Sequence, residues 1–174
     1  MAGQNSSYVK KIAVLSVMLA AAVILGYVES LIPFNFGVPG IKLGLANIVS
    51  LMIIYMYKTR EAYMVGILRV LIIGFLFGNL SMIIYSLSGL ILSITMMFLF
   101  VKSHKFSIIG ISVIGAIGHN VGQLLVAYLV VRTSAIIYYL PFLLVAAVVT
   151  GVCTGIIATG ILRVLKYKFE REMN

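Results

Sequence analysis

At 174 residues, 63% hydrophobic and only 10% charged, with a mean hydropathy of +1.19, the chain is far more apolar than a soluble domain, where roughly half the residues are apolar. No hydrophilic stretch is long enough for a second, soluble domain, and the lone Cys153 excludes a disulfide framework or zinc site. The net charge of +9 raises the question of nucleic acid. Set against the membrane spans, however, the basic residues are accounted for by topology, and no aromatic-basic surface remains for RNA or DNA.

A helix that crosses a bilayer needs about 20 predominantly apolar residues. Six segments are read as spans, at about 10–32, 42–57, 62–78, 80–101, 107–131 and 136–165. The first begins after Lys10-Lys11. Ala20-Ala21-Ala22 resembles a cleavage site, but the apolar run continues through Leu25, Gly26 and Tyr27 and reads as a retained span. Ala22, Gly26 and Ser30 recur every four residues, with Ser16 and Ala20 as a second close pair. Such stripes let helices approach, either inside the bundle or as a docking face for a partner subunit. Glu29, near the outer end, is the only acid away from the basic side.

Span one leads into IPFNFGVPGIKLGLANIV, where Pro33, Gly37, Pro39 and Gly40 break helical structure and shape a cap or gating loop over 33–42. Lys42 and Asn47 follow, with Gly44 permitting close backbone approach. Spans two and three are short. In span three, EAYMVGILRVLIIGFLFG places Arg69 mid-membrane, where an Arg costs about 2.5–3.5 kcal/mol even on insertion scales. It must face a partner or a cavity: Glu29 as its ion-pair mate, or an anionic ligand. Phe34, Phe36, Phe75, Phe77 and Tyr85 are candidate apolar walls, or else packing and interfacial anchors.

Span five carries GHNVGQLL (118–125). His119 and Gln123 share a face one turn apart, Asn120 borders it, and Gly118 with Gly122 forms the adjoining strip. Three adjacent hydrogen-bonding side chains in hydrocarbon need partners, either in a structural network or in a ligand site. Span six repeats the close pair at Gly151 and Gly155, and Pro141 near its start predicts a kink or an initial interfacial segment. Lys10, Lys11, Lys58, Arg60, Lys102, Lys105, Arg163, Lys166, Lys168 and Arg171 fall on one side, against Lys42 and Arg132 on the other. This asymmetry predicts a multi-pass protein of the cell membrane with both termini cytoplasmic.

VPGIKLGLAN (38–47), LRVLIIGFLFG (68–78), GHNVGQLL (118–125) and YYLP (138–141) together resemble the Gx transporter family, also catalogued as heptaprenyl diphosphate synthase component I, over about Lys10 to Lys166. Size and layout are similar to the substrate-binding S components of energy-coupling factor (ECF) transporters. That resemblance implies an all-α integral membrane protein, a compact bundle of six transmembrane helices. It also implies ligand capture beneath the first loop and docking through span one onto a transmembrane coupling subunit served by two ATPases. The docking residues would be Ser16, Ala20, Ala22 and Gly26, in place of the AxxxA stripe common in that group.

Prenyl-transfer chemistry holds Mg²⁺-diphosphate on paired Asp-rich motifs. This sequence contains no Asp, and no phosphate-binding Gly-rich loop ending in Lys. The expectation is therefore a non-enzyme without a cofactor of its own, ATP being used by its partners. Intramembrane proteolysis, with Ser86 or Ser88 as nucleophile and His119 as base, lacks any second motif. The expected function is a solute-binding subunit for a small polar or anionic vitamin- or cofactor-like ligand, such as a flavin or an isoprenoid. Lys42 and Arg69 are its anion contacts, Asn47, His119, Asn120 and Gln123 its hydrogen-bonding contacts, and Glu29 lies at the same site. The alternative is a non-catalytic membrane partner of a prenyl diphosphate synthase in isoprenoid or quinone biosynthesis.

Overall fold

The computed structural model describes residues 2–31, 44–132 and 134–172, with side chains over 8–31, 44–132 and 136–165. Among these residues the chain is helical and has no strand. The elements are α1 (Ala2–Leu31), α2 (Asn47–Met56), α3 (Thr59–Phe77), α4 (Leu80–Lys102), α5 (Ile108–Val131), a 3₁₀ segment (Ser134–Tyr139) and α6 (Leu140–Glu172). Four stretches are long and apolar enough to cross a bilayer: Tyr8–Leu31, Leu80–Lys102, Ile108–Val131 and Ile136–Leu165. Large apolar side chains such as Phe75, Leu129, Phe142 and Val149 cover the outside of the bundle. In water that surface would aggregate; it suits a membrane-embedded protein.

Helix ends follow local chemistry. The Asn79 side chain accepts from Met82 N–H at 2.9 Å to start α4, and Ser107 Oγ accepts from Gly110 N–H at 3.1 Å to start α5. The left-handed Arg132 closes α5, its N–H donating to Tyr128 O. Pro141 is the second residue of α6, where its missing N–H costs nothing. A 3₁₀ segment, Ser134–Tyr139, precedes it.

The second segment departs from expectation. Its helix starts at Asn47, not at 42, and its ten residues rise only about 15 Å, half of a roughly 30 Å hydrocarbon core. The cause is local: Gly44 has φ +85°, a left-handed conformation that cannot continue a right-handed helix. Lys11 Nζ donates to Glu61 Oε1, so α1 and α3 begin at the same end of the molecule.

α5 is the hub and packs most extensively on α4 and α6. The glycine pairs of spans five and six serve this packing. A Cβ on Gly151 would lie 2.6 Å from Val113 Cα, and one on Gly155 2.8 Å from Ile109 Cα, so α5 and α6 touch backbone to backbone. The main core joins Met18, Ile53, Leu90, Ile94, Met97 and Ile111. A smaller cluster of Tyr85, Leu124, Ala127, Ile136 and Leu143 closes the other end. On α1, Ala22 and Gly26 are buried against the chain's own helices, while Ser16 and Ala20 face outward. The four do not share one exposed face.

Candidate functional site

Polar groups in hydrocarbon need partners, and several of them gather at the end of the bundle away from the Lys11–Glu61 pair. Arg69 on α3 is 5% exposed and Glu29 on α1 is 3% exposed. Together with Ser86 of α4 and His119 of α5 they line one cavity, whose apolar wall is Val70, Ile73, Gly74 and Met82. Glu29 is the acid whose charge acts on Arg69, so the ion-pair partner expected for Arg69 is the one found beside it. At about 10 Å³, the cavity has room for about one water.

Glu29 has a second task. Its Oε1 accepts from Gly44 N–H, and also from Leu45 N–H at 3.3 Å. The carboxylate thereby ties the end of α1 to the backbone that leads into α2. Gly44 sits so close that an added Cβ would fall 2.7 Å from Asn47 Nδ2 and 2.9 Å from His119 Cδ2. Asn47 and His119 thus meet across Gly44. The prediction is that Gly44→Ala destabilises the protein by about 1–3 kcal/mol, from left-handed strain plus overpacking, measured as a lower midpoint of thermal unfolding in detergent.

Two of these residues carry hydrogen-bonding atoms that no described residue satisfies. Arg69 Nε and Nη2, and both polar atoms of the Asn47 side chain, are buried without a partner among the described residues. An orphaned buried polar group costs about 1–3 kcal/mol, more if charged, so such groups are expected to meet a ligand or water.

The polar residues of α5 separate. His119 and Gln123, 2% and 0% exposed, face α4 where it is thinned to Gly89: a Cβ there would meet His119 Nδ1 and Gln123 Cγ at 2.9 Å. Asn120, one residue and about 100° further round the helix, instead donates from Nδ2 to Leu143 O of α6 at 2.8 Å. It is placed at the α5–α6 seam, away from the cavity at Arg69. Asn120→Leu is therefore expected to cost about 1–2 kcal/mol of stability while leaving ligand affinity within about twofold. Thermal unfolding and binding measured on the same preparation check this.

Lys42 and the 33–42 loop, including Phe34 and Phe36, lie outside the described residues. Phe75 and Phe77 are exposed and Tyr85 is buried in the smaller core cluster, so none of the three lines the cavity. Ser88 donates to Tyr85 O at 2.8 Å and to Gly122 O at 2.9 Å, which commits its hydroxyl to packing rather than nucleophilic attack. Gly74, Met82 and Ser86 belong to the site although sequence reasoning assigned them no part in binding. Of the three only Ser86 was singled out, as a candidate nucleophile rather than a binding residue.

The family model described as heptaprenyl diphosphate synthase component I matches residues 18–161, a stretch that contains every residue of this centre. No curated protein and no solved structure shows significant similarity to the chain.

Proposed function

The chain belongs to the heptaprenyl diphosphate synthase component I family, and from that premise we propose that it is the membrane-embedded solute-binding subunit of an ECF-type transporter. The observation that carries this reading is Arg69, a buried guanidinium with two nitrogens lacking acceptors among the described residues, beside the cavity it shares with Glu29, Ser86 and His119. Asn47, also buried and with amide atoms that no described residue partners, meets His119 of the same centre across Gly44. A small anionic or strongly polar ligand supplies the acceptors these groups need, and Glu29 keeps the unliganded centre close to neutral. The cavity admits about one water, so ligand entry requires the α1–α2 junction held by Glu29 to move. Lys42 and the 33–42 loop would complete the site from the outer side.

In this reading the bundle spans the membrane six times, with α2 and α3 completing the four long apolar helices and both termini cytoplasmic. Support comes from the basic residues between α2 and α3 and between α4 and α5, together with Lys10 and Lys11 at the end shared by α1 and α3. The subunit performs no catalysis and carries no cofactor. A transmembrane coupling subunit and two ATPases drive transport, and the outward-facing Ser16 and Ala20 contribute to docking, as Ala22 and Gly26 would only if α1 and α3 part.

The second reading, a non-catalytic partner of a prenyl diphosphate synthase, is favoured by the family's description. Affinity purification of the tagged protein in mild detergent, with mass spectrometry of co-purifying proteins and small molecules, separates the two. A coupling subunit with two ATPases is the expected recovery. A soluble prenyl synthase without ATPases would replace the first reading with the second.

A further inference from the structure

Away from the polar centre, one flank of the bundle is open. Among the described residues α1 and α6 make no contact with each other, and α2 packs against both and forms the floor between them. The gap is a groove of about 800 Å³, walled by α1 residues such as Val17 and Ala21, by Met52 of α2 and by Ile157 and Ile161 of α6. Its extent along α1, from Ala13 to Leu25, is about 18 Å, a little over half the hydrocarbon thickness. That is the depth of one leaflet.

Apart from Tyr57 at its mouth, the wall offers nothing to a polar solute. Its one mid-groove hydroxyl, on Thr154, is already bonded to Ser112 Oγ at 2.9 Å and to Thr150 O at 2.7 Å. A concave apolar surface of this size inside a bilayer is filled by hydrocarbon or by another helix. Close helix docking in membranes favours small residues on both facing surfaces; the α1 wall has Ala13 and Ala21, but beyond Thr154 the α6 wall is Ile157, Ile161 and Leu165 and the floor includes Met52 and Met56. Long, adaptable side chains of this kind suit an irregular flexible chain.

The mouth of the groove is basic. Lys10 is exposed and shares the helix face of Val14, Val17 and Ala21 by its spacing. Lys58 is exposed beside the groove residue Tyr57, and Lys11 Nζ lies 5.7 Å from the centre of the Tyr57 ring.

We propose that this groove binds an anionic phospholipid, one acyl chain lying between α1 and α6 and the phosphate held at Lys10 and Lys58. The lipid supplies the wall that the protein lacks there and keeps α1 from closing onto α6. This site is separate from the Arg69 centre and does not depend on the transport reading.

The test is native mass spectrometry of the full chain in detergent, titrated with phosphatidylglycerol and with phosphatidylcholine of the same acyl chains. Phosphatidylglycerol is expected to be retained about tenfold better, the two lysines supplying the preference, and Lys10→Gln with Lys58→Gln should abolish that preference. Ala21→Phe, and independently Ala13→Phe, place a ring in the groove from an outward-facing position and should each lower retention at least about fivefold with the thermal midpoint unchanged. Equal retention of the two lipids overturns the proposal, as does retention that survives both ring substitutions. A prenyl phosphate or a polypeptide occupying the groove in place of phospholipid overturns it too. Arg69 variants are expected to leave lipid retention untouched, which keeps a failure here distinct from a failure of the polar site.

Discussion

Arg69→Met is expected to weaken ligand binding by about 100-fold or more, because a bound acceptor that satisfies a charged N–H contributes about 1.5–3 kcal/mol and Arg69 has two such groups without partners among the described residues. Binding is read by equilibrium dialysis with the small molecule recovered from the native complex. The substitution also strands Glu29, whose charge acts on Arg69, and breaking a buried pair on one side is itself destabilising. The double variant Glu29→Gln with Arg69→Met separates the two effects. Gln keeps an oxygen to accept from Gly44 and Leu45 N–H while removing the orphaned charge. If Arg69 binds ligand, the double variant regains thermal stability but not affinity. Recovery of both would reduce Arg69 to a structural partner of Glu29 and remove the site assignment.

A stability effect as large as that at Gly44 is expected at Gly122, where α4 and α5 cross. A Cβ there would sit 2.6 Å from Ser88 O and 2.9 Å from Gly89 Cα. Both atoms are backbone, so no side chain can swing aside. Gly122→Ala must push the helices apart and disturb the Ser88 Oγ to Gly122 O bond of 2.9 Å, for a loss of about 1–3 kcal/mol measured by thermal unfolding in detergent. Gly160→Ala is the control: outside the local backbone of its own helix no described atom lies within 4 Å of its Cβ position, and alanine is the better helix former by up to about 1 kcal/mol. It should be neutral or stabilising. Equal losses at both positions would mean that helix contact at Gly122 is not what the glycine provides. Because His119 and Gln123 flank Gly122, the alanine variant should also weaken ligand binding.

Much of the site was legible because hydrocarbon penalises polar groups severely. Arg69, Glu29, His119 and Gln123 were singled out on that ground, and all four are buried. What the penalty does not specify is the partner. Asn120 was grouped with His119 and Gln123 as their neighbour, yet its amide goes to Leu143 O, because 100° of helical rotation carries it to a different adjoining helix. The small residues of α1 were read as a stripe and a second close pair that serve either bundle packing or docking, and spacing alone did not divide the two roles. Ser16 and Ala20 lie on a different face from Ala22 and Gly26, and the structure sends the first pair outward and the second against the bundle. Span two was overextended because hydropathy does not register backbone conformation. Gly44 was noted only as allowing close approach, whereas its left-handed φ sets where α2 begins.

The sequence by itself determined the solvent, the positions that no lipid-facing surface tolerates, and the glycine pairs at which helices touch. Each of these follows from a free-energy cost borne by single residues or by fixed helical spacing. Only the tertiary structure decided which buried groups meet at the Arg69 cavity, that Glu29 joins α1 to the start of α2, and that α1 and α6 stand apart around an apolar groove. Those outcomes depend on the order in which helices pack around α5, an arrangement set by many weak contacts between residues distant in the chain.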